Sequence, residues 1–451
     1  MADDKNFPVQ GAAPRAAKDF LRRRGVALVV LLILAIYGFE AHARRRLMST
    51  PPSLGDQGAY LAHAQKMYES SYTAVAERNR MPVFPFLLSL IYRPGASDAE
   101  FLSSAQAFNV NLSIVLLLLL FLIFRKFFML LHAVALLCAT AFGVFLYRAV
   151  NAQTEVLYYS ISFCAFVLLL RMLIASSWCL AALSGATVGV AHLTKASVLP
   201  ALGLWVAVFI AHILWGARAR RDHDLRKAWR ELGMFLLVVA TFIAVVFPYI
   251  RTSKRIYGQY FYNVNSNFIM WCDSSSEGWE FLTAYGDRDK RPSFPPDQIP
   301  SLGKYWREHS AGQIAFRLMR GLRRLATQNA MAIGYYKFVV AFILAGGVLW
   351  VRQRHRAREL LVEKPFATAF CVLFFAIYLL LYAWYDWIVN DTRFILSIFL
   401  PFIFAASIFL GHMGKDRLVA IAGRRFPFAQ FFAGLLISLA LIDVLYNAAR
   451  S

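Results

Sequence analysis

The chain has 451 residues, 59% of them hydrophobic and 16% charged, with a mean hydropathy of +0.52. That is more apolar surface than one water-soluble core can hide, which excludes an ordinary soluble protein and points to an all-α polytopic membrane protein. The net charge of +22 and pI near 10.0 invite nucleic acid as a partner, but much of the basic excess falls in short loops where topology and anionic headgroups explain it, so none is expected.

Residues 1–24 form a basic tail with Lys18, Arg22, Arg23 and Arg24 and read as cytoplasmic. The first apolar run, 25–43, ends on Ala41-His42-Ala43, which imitates a signal-peptide cleavage site; Arg44, Arg45 and Arg46 directly after it argue against cleavage. A crossing helix needs about 20 apolar residues, because the backbone must satisfy its own hydrogen bonds in hydrocarbon. Further runs of that kind occupy 101–124, 127–147, 155–173, 178–195, 197–215, 232–250, 329–351, 365–385, 394–413 and 426–446, which makes about 11 transmembrane helices. The stretch Pro82 to Tyr92 is too short to cross and reads as an interfacial or re-entrant piece.

Alternation of the spans puts the basic segments Arg218 to Arg230, Arg352 to Arg358 and Lys415 to Arg425 on the amino-terminal, cytoplasmic side. The layout is then an amino-terminal transmembrane module, 25–250, with a first outer loop at 44–100, an extracytoplasmic loop at 251–328 and a carboxy-terminal module, 329–451. Within 251–328, Arg317, Arg320, Arg323 and Arg324 recur at helical spacing opposite Ile314, Leu318, Met319, Leu322 and Leu325. This predicts a basic amphipathic helix lying in the outer interface, holding headgroups or a specific phosphate.

Several chemistries are not signalled. Cys138, Cys164, Cys179 and Cys371 fall in or beside spans and Cys272 lies in the outer loop, so no disulfide is expected. Walker A, C-x-x-C, H-E-x-x-H and G-x-S-x-G patterns are absent from the sequence. Asp287-Arg288-Asp289 has the D-x-D form of metal-nucleotide sites but reads as a solvated turn.

What remains is a set of ionisable groups gathered at the outer ends of spans: Asp56 and Arg80 in the first loop, Glu155, Lys195 and Arg393 at helix ends. The last three each have an ordinary explanation: a carboxylate at a helix amino terminus for Glu155, a snorkelling lysine for Lys195, an interfacial anchor for Arg393. Their shared side favours function, since charge at membrane depth is expensive unless it faces a cavity.

The order of these features resembles the GT-C superfamily of membrane glycosyltransferases, in particular the branch of protein O-mannosyltransferases and lipid A aminoarabinose transferases. The resemblance rests on Asp56 with Tyr60-Leu61-Ala62, on Arg80-Met81-Pro82-Val83-Phe84-Pro85, on Glu155, on Leu193-Thr194-Lys195, and on Arg393-Phe394 with Pro401. Met81 and Asn79 depart from the family pattern, and no sizeable soluble domain follows the last span, which leaves subfamily and acceptor open. The resemblance implies a polyprenyl-phosphate sugar as donor and a lipid, glycan or protein as acceptor, on the extracytoplasmic face of a bacterial inner membrane.

Displacing a lipid phosphate from an anomeric carbon, with the inversion expected here, requires a base for the incoming group and cations for the departing charge. Asp56 fits the base, Arg80 with Lys195 and Arg393 the phosphate. Glu155 would orient the acceptor or sugar, or share a divalent metal with Asp56; no metal or other cofactor is assigned. Tyr60, Trp271, Trp279 and Asp391 are candidate acceptor or sugar contacts, since aromatic faces pack on sugar rings and on interfacial lipid alike. Two other readings stay open: a transporter or flippase for a lipid-linked or anionic solute, and a glycan polymerase or ligase using a diphosphate-linked donor.

Overall fold

The computed structural model describes residues 12–48, 51, 55–219, 225–285, 295, 297–331, 334–389, 391–421 and 423–448. The first half contains α1 (Ala12–Leu47), α2 (Gly55–Glu69), α3 (Val83–Ser89), α4 (Asp98–Phe127), α5 (Leu130–Thr140), a π-helical turn (Ala141–Phe145), α6 (Leu146–Arg148), α7 (Glu155–Ile174), α8 (Trp178–Thr194), α9 (Leu199–Ala219) and α10 (Leu225–Tyr257). The segment that follows holds α11 (Val264–Asn267), α12 (Ser275–Tyr285), α13 (Leu302–Glu308) and α14 (Ala311–Met331). Then follow α15 (Tyr335–Arg352), α16 (Arg354–Glu363), α17 (Pro365–Tyr385), α18 (Arg393–Leu396), α19 (Phe399–Met413), β1 (Leu418–Ile421), β2 (Arg424–Pro427) and α20 (Phe428–Ala448).

Among the described residues, nine helices are long and apolar enough to cross a membrane, with α8 and α19 apolar but shorter. Both shorter helices nevertheless align with long neighbours. Lys195, just after α8, lies 3.1 Å from Glu155 at the start of α7. The Tyr335 and Phe399 rings meet at one end of α15 and α19, with centroids 6.1 Å apart, and Gln353 Nε2 donates to the Met413 carbonyl at the other, at 2.8 Å.

Three expectations are corrected. The fold is not wholly α: β1 and β2 pair antiparallel through a turn at Gly423, where φ is +76°, so the last helix starts at Phe428 and not at 426. The span expected at 329–351 begins only at Tyr335, because Gly334 has φ +60° and its backbone sits against Gly143, where an added Cβ would lie 3.2 Å from the carbonyl. The span expected at 394–413 is divided at Ser397-Ile398 into α18 and α19. As expected, Pro82 to Tyr92 yields only the seven-residue α3. Ala41-His42-Ala43 lies inside α1 with Ala41 fully buried, and Asp287-Arg288-Asp289 lies outside the described residues.

Glycine sets close helix approaches. A Cβ built on Gly185 of α8 would fall on Thr241 Oγ1 and the Val238 carbonyl of α10, and one on Gly189 would lie 2.8 Å from the Val245 side chain. Small residues at such crossings let backbones touch where no hydrophobic drive separates protein from lipid. Gly185→Ala is therefore expected to lower the unfolding midpoint in detergent by the equivalent of about 1–3 kcal/mol of overpacking. Gly203→Ala, with no atom within 4 Å of its Cβ, should leave the midpoint unchanged or raise it.

Tyr262, Val264, Phe268, Ile269 and Phe281 of the 251–328 segment form, together with Ile388, a separate apolar cluster. It docks on the first loop: Val264 N donates to the Arg78 carbonyl at 2.9 Å, and Asn265 Nδ2 to Asn79 Oδ1 at 2.6 Å. The helix expected at Gln313 to Gln328 is present as α14, but its basic face is turned partly inward. Arg317 is only 3% exposed, lies 4.2 Å over the Trp384 ring and donates to the Cys272 carbonyl at 3.0 Å. Arg320 covers Trp387 and Arg324 pairs with Asp386 at 3.3 Å, while Phe316 and Met319 are exposed. A flat guanidinium is satisfied by aromatic faces and carbonyls, which the amphipathic pattern alone does not distinguish from headgroups. All five cysteines are free, and burial pushes the Cys272 thiol up to about 12.

Candidate functional site

Asp56 stands in the first turn of α2, directly after Gly55, whose φ is +66°. The next residue, Gln57, fixes that turn: its buried Oε1 accepts from Ala152 N at 2.8 Å and from Gln106 Nε2 at 3.3 Å. Asn109 Nδ2 donates to the Ala149 and Asn151 carbonyls, at 3.1 and 2.6 Å, and so holds the turn that leads into Glu155. Glu155, 1% exposed, opens α7 beside it. These buried amides bring two carboxylates from separate helices to one place.

Cations from three further segments meet them. Arg80 binds Asp56 Oδ1 and Arg393 binds Asp56 Oδ2, so each carboxylate oxygen has its own guanidinium. Arg393 is also 3.9 Å from Glu155, and its Nε is 3.1 Å from Asp391 Oδ2. Lys195 Nζ lies 3.1 Å from Glu155 Oε1 and above the Phe394 ring at 5.3 Å. The Arg80 guanidinium lies 5.3 Å from the centre of the Tyr60 ring. The backbone of this loop is shaped by Glu77, whose carboxylate accepts from the Asn79 and Arg80 amides.

Of the residues singled out from sequence, Asp56, Tyr60, Arg80, Glu155, Lys195, Arg393 and Asp391 are thus brought together. Trp271 and Trp279 are not among the side chains paired there: Trp271 packs on Trp384 with centroids 5.9 Å apart, and Trp279 is 68% exposed on α12. Sequence reasoning missed Arg148, which donates to Thr392 Oγ1 at 2.5 Å and lies 3.4 Å from Asp391. It also missed Tyr159, whose hydroxyl donates to the Arg393 carbonyl at 2.6 Å, and the Glu77 clamp. An arginine ending a span, as Arg148 does, was the one available signal.

Among the described residues the ion-paired side chains of the cluster are four cations, Arg80, Arg148, Lys195 and Arg393, against three carboxylates, Asp56, Glu155 and Asp391, a surplus of one positive charge within these pairs, with the Glu77 carboxylate held apart on backbone amides. Three buried atoms in it make no hydrogen bond among the described residues, Glu155 Oε2, Arg80 Nε and Arg393 Nε, the last of them 3.1 Å from Asp391 Oδ2. No group of three or more metal-ligating side chains occurs among the described residues. Asp56 and Glu155 do not fit a shared divalent metal, because the Arg393 guanidinium contacts both.

Burial acts to raise the Asp56 carboxyl, but the Arg80 and Arg393 charges outweigh it and hold the group below the usual carboxylate range. With a depressed folded value, the stability Asp56 supplies is complete above its unfolded pKa of about 3.9 and is lost as pH falls through the folded one. Wild type and Asp56→Asn should therefore differ in unfolding midpoint by a constant amount between about pH 8 and 5, begin to converge near about pH 4, and coincide only once pH is below the folded value. Thermal unfolding in detergent across that range checks it.

Compared with family models, curated proteins and solved structures, the chain matches none.

Proposed function

We propose that this protein is a GT-C-like membrane glycosyltransferase that moves a sugar from a polyprenyl-phosphate donor to a lipid, glycan or protein acceptor. In this reading all eleven apolar helices cross, α8 and α19 included, with the amino terminus in the cytoplasm and the cluster on the extracytoplasmic face of a bacterial inner membrane. The observation that carries it is the convergence of Asp56, Arg80, Glu155, Lys195 and Arg393, with one cation in surplus. A sugar phosphodiester brings one negative charge to neutralise that surplus, and guanidiniums bind phosphate oxygens two at a time.

In the reaction the acceptor's hydroxyl oxygen or amine nitrogen bonds to the anomeric carbon as the bond from that carbon to the phosphate oxygen breaks. The electron pair leaves on the phosphate, where Arg80, Arg393 and Lys195 hold it, and the acceptor's proton passes to Asp56. The unpartnered Glu155 Oε2 accepts from a hydroxyl of the sugar or acceptor and orients it. The test is binding of a short-chain prenyl phosphate to purified protein. Arg80→Ala and Lys195→Ala should each weaken it by about 10- to 100-fold, the worth of a charge-assisted hydrogen bond. Unchanged affinity in both variants would remove the phosphate from this site.

A further inference from the structure

Arg80 and Arg393, the two guanidiniums best placed for a phosphate, are both already bound to an anion of the protein itself. Arg80 Nη2 contacts Asp56 Oδ1 and Arg393 Nη1 contacts Asp56 Oδ2, so the carboxylate is gripped at both oxygens. A carboxylate held this way is a weak proton acceptor, because taking a proton means giving up a charged partner. Resting on the glycosyl-transfer reading above, we infer that Asp56 occupies the phosphate's guanidiniums until the donor displaces it. Donor binding itself then releases the base, and the donor must bind before the acceptor's proton can be taken.

Three features of the cluster support this exchange. The Asp56 side chain is 25% exposed, against 2% for Glu155, and it follows Gly55 at the first turn of its helix, so it is the carboxylate with room to swing aside. Lys195 and Arg148 pair with Glu155 and with Asp391 and Thr392, whereas Asp56 alone joins Arg80 to Arg393, so its departure frees one guanidinium edge on each arginine for the entering phosphate beside Lys195. The charges also balance. Four cations against three carboxylates leave one positive charge, and a phosphodiester entering while Asp56 stays ionised brings the site to neutrality. The proton that Asp56 later accepts is the one lost by the acceptor, while the leaving phosphate takes the electron pair of the broken bond.

The test is titration of the detergent-purified full chain with farnesyl phosphate, followed by calorimetry at neutral pH. Asp56→Asn removes the competing charge and should bind roughly tenfold more tightly than wild type, a difference of about 1.4 kcal/mol. Asp56→Glu keeps the charge and should bind close to wild type. Asp56→Ser repeats the test should the amide variant fail to fold. Equal or weaker binding by Asp56→Asn and Asp56→Ser, with wild type binding normally, overturns the exchange and leaves the phosphate reading standing. Absence of binding in all four proteins overturns both.

Discussion

Asp56→Asn is expected to lower the turnover of sugar transfer by about 10²- to 10⁴-fold, the usual contribution of a general base, or about 2.7–5.5 kcal/mol of barrier. The amide keeps the shape and one acceptor oxygen, so it can still hold one of Arg80 and Arg393 while its NH2 group faces the other. The loss should fall on kcat while apparent donor affinity rises, a split that a merely structural role does not produce. The pH dependence carries a second signature. In the free protein the two arginines hold Asp56 below the usual carboxylate range, so the acid limb of kcat/KM should lie below that of kcat, which reports the donor-bound protein after the arginines have turned to the phosphate. Steady-state kinetics of wild type and Asp56→Asn from about pH 4 to 8 checks both expectations.

Arg393→Met should be the most destabilising single change in the cluster. Arg393 is the hub: it contacts Asp56, Glu155 and Asp391, and its side chain is only 17% exposed. Removing it leaves each carboxylate with one cation, Arg80, Lys195 and Arg148 respectively. Breaking a buried pair by deleting one partner costs about 3–5 kcal/mol, because a charge stays buried and under-compensated. Arg393→Lys should recover part of this, since it restores charge but not the fork. Arg393→Met combined with Asp391→Asn should be less destabilised than the sum of its parts, which is the signature of coupling within one network. Unfolding midpoints of these variants and of Asp391→Asn alone, in one detergent, measure all of this.

How much of this was legible in the sequence follows from what each signal depends on. Crossing helices require only length and apolarity, so α4, α7 and α17 can be read almost to their ends. Their boundaries fail where a single backbone dihedral decides, as at Gly334 and at the Gly423 turn. Asp56, Glu155, Lys195 and Arg393 could be singled out because charge at membrane depth demands a reason, and the structure places them together. Arg148 pairing with Asp391 across 243 positions has no local mark, and neither has the Glu77 carboxylate that shapes the Arg80 loop. Arg317 was misread for a different reason. Spacing reports which residues share a helix face, and what covers that face, here Trp384 and Tyr305, is set by tertiary packing.

The central claim is that the cluster transfers sugar from a phosphate-linked lipid. It is tested most directly by incubating the purified wild-type chain with radiolabelled polyprenyl-phosphate sugars and membrane-extracted acceptors, and measuring labelled product alongside released polyprenyl phosphate. The account predicts that product and lipid phosphate appear in equal amounts, and that both disappear with Asp56→Asn. Donor left intact in detergent, with the labelled lipid or a solute instead moving across proteoliposomes containing the protein, would contradict it and make the chain a transporter.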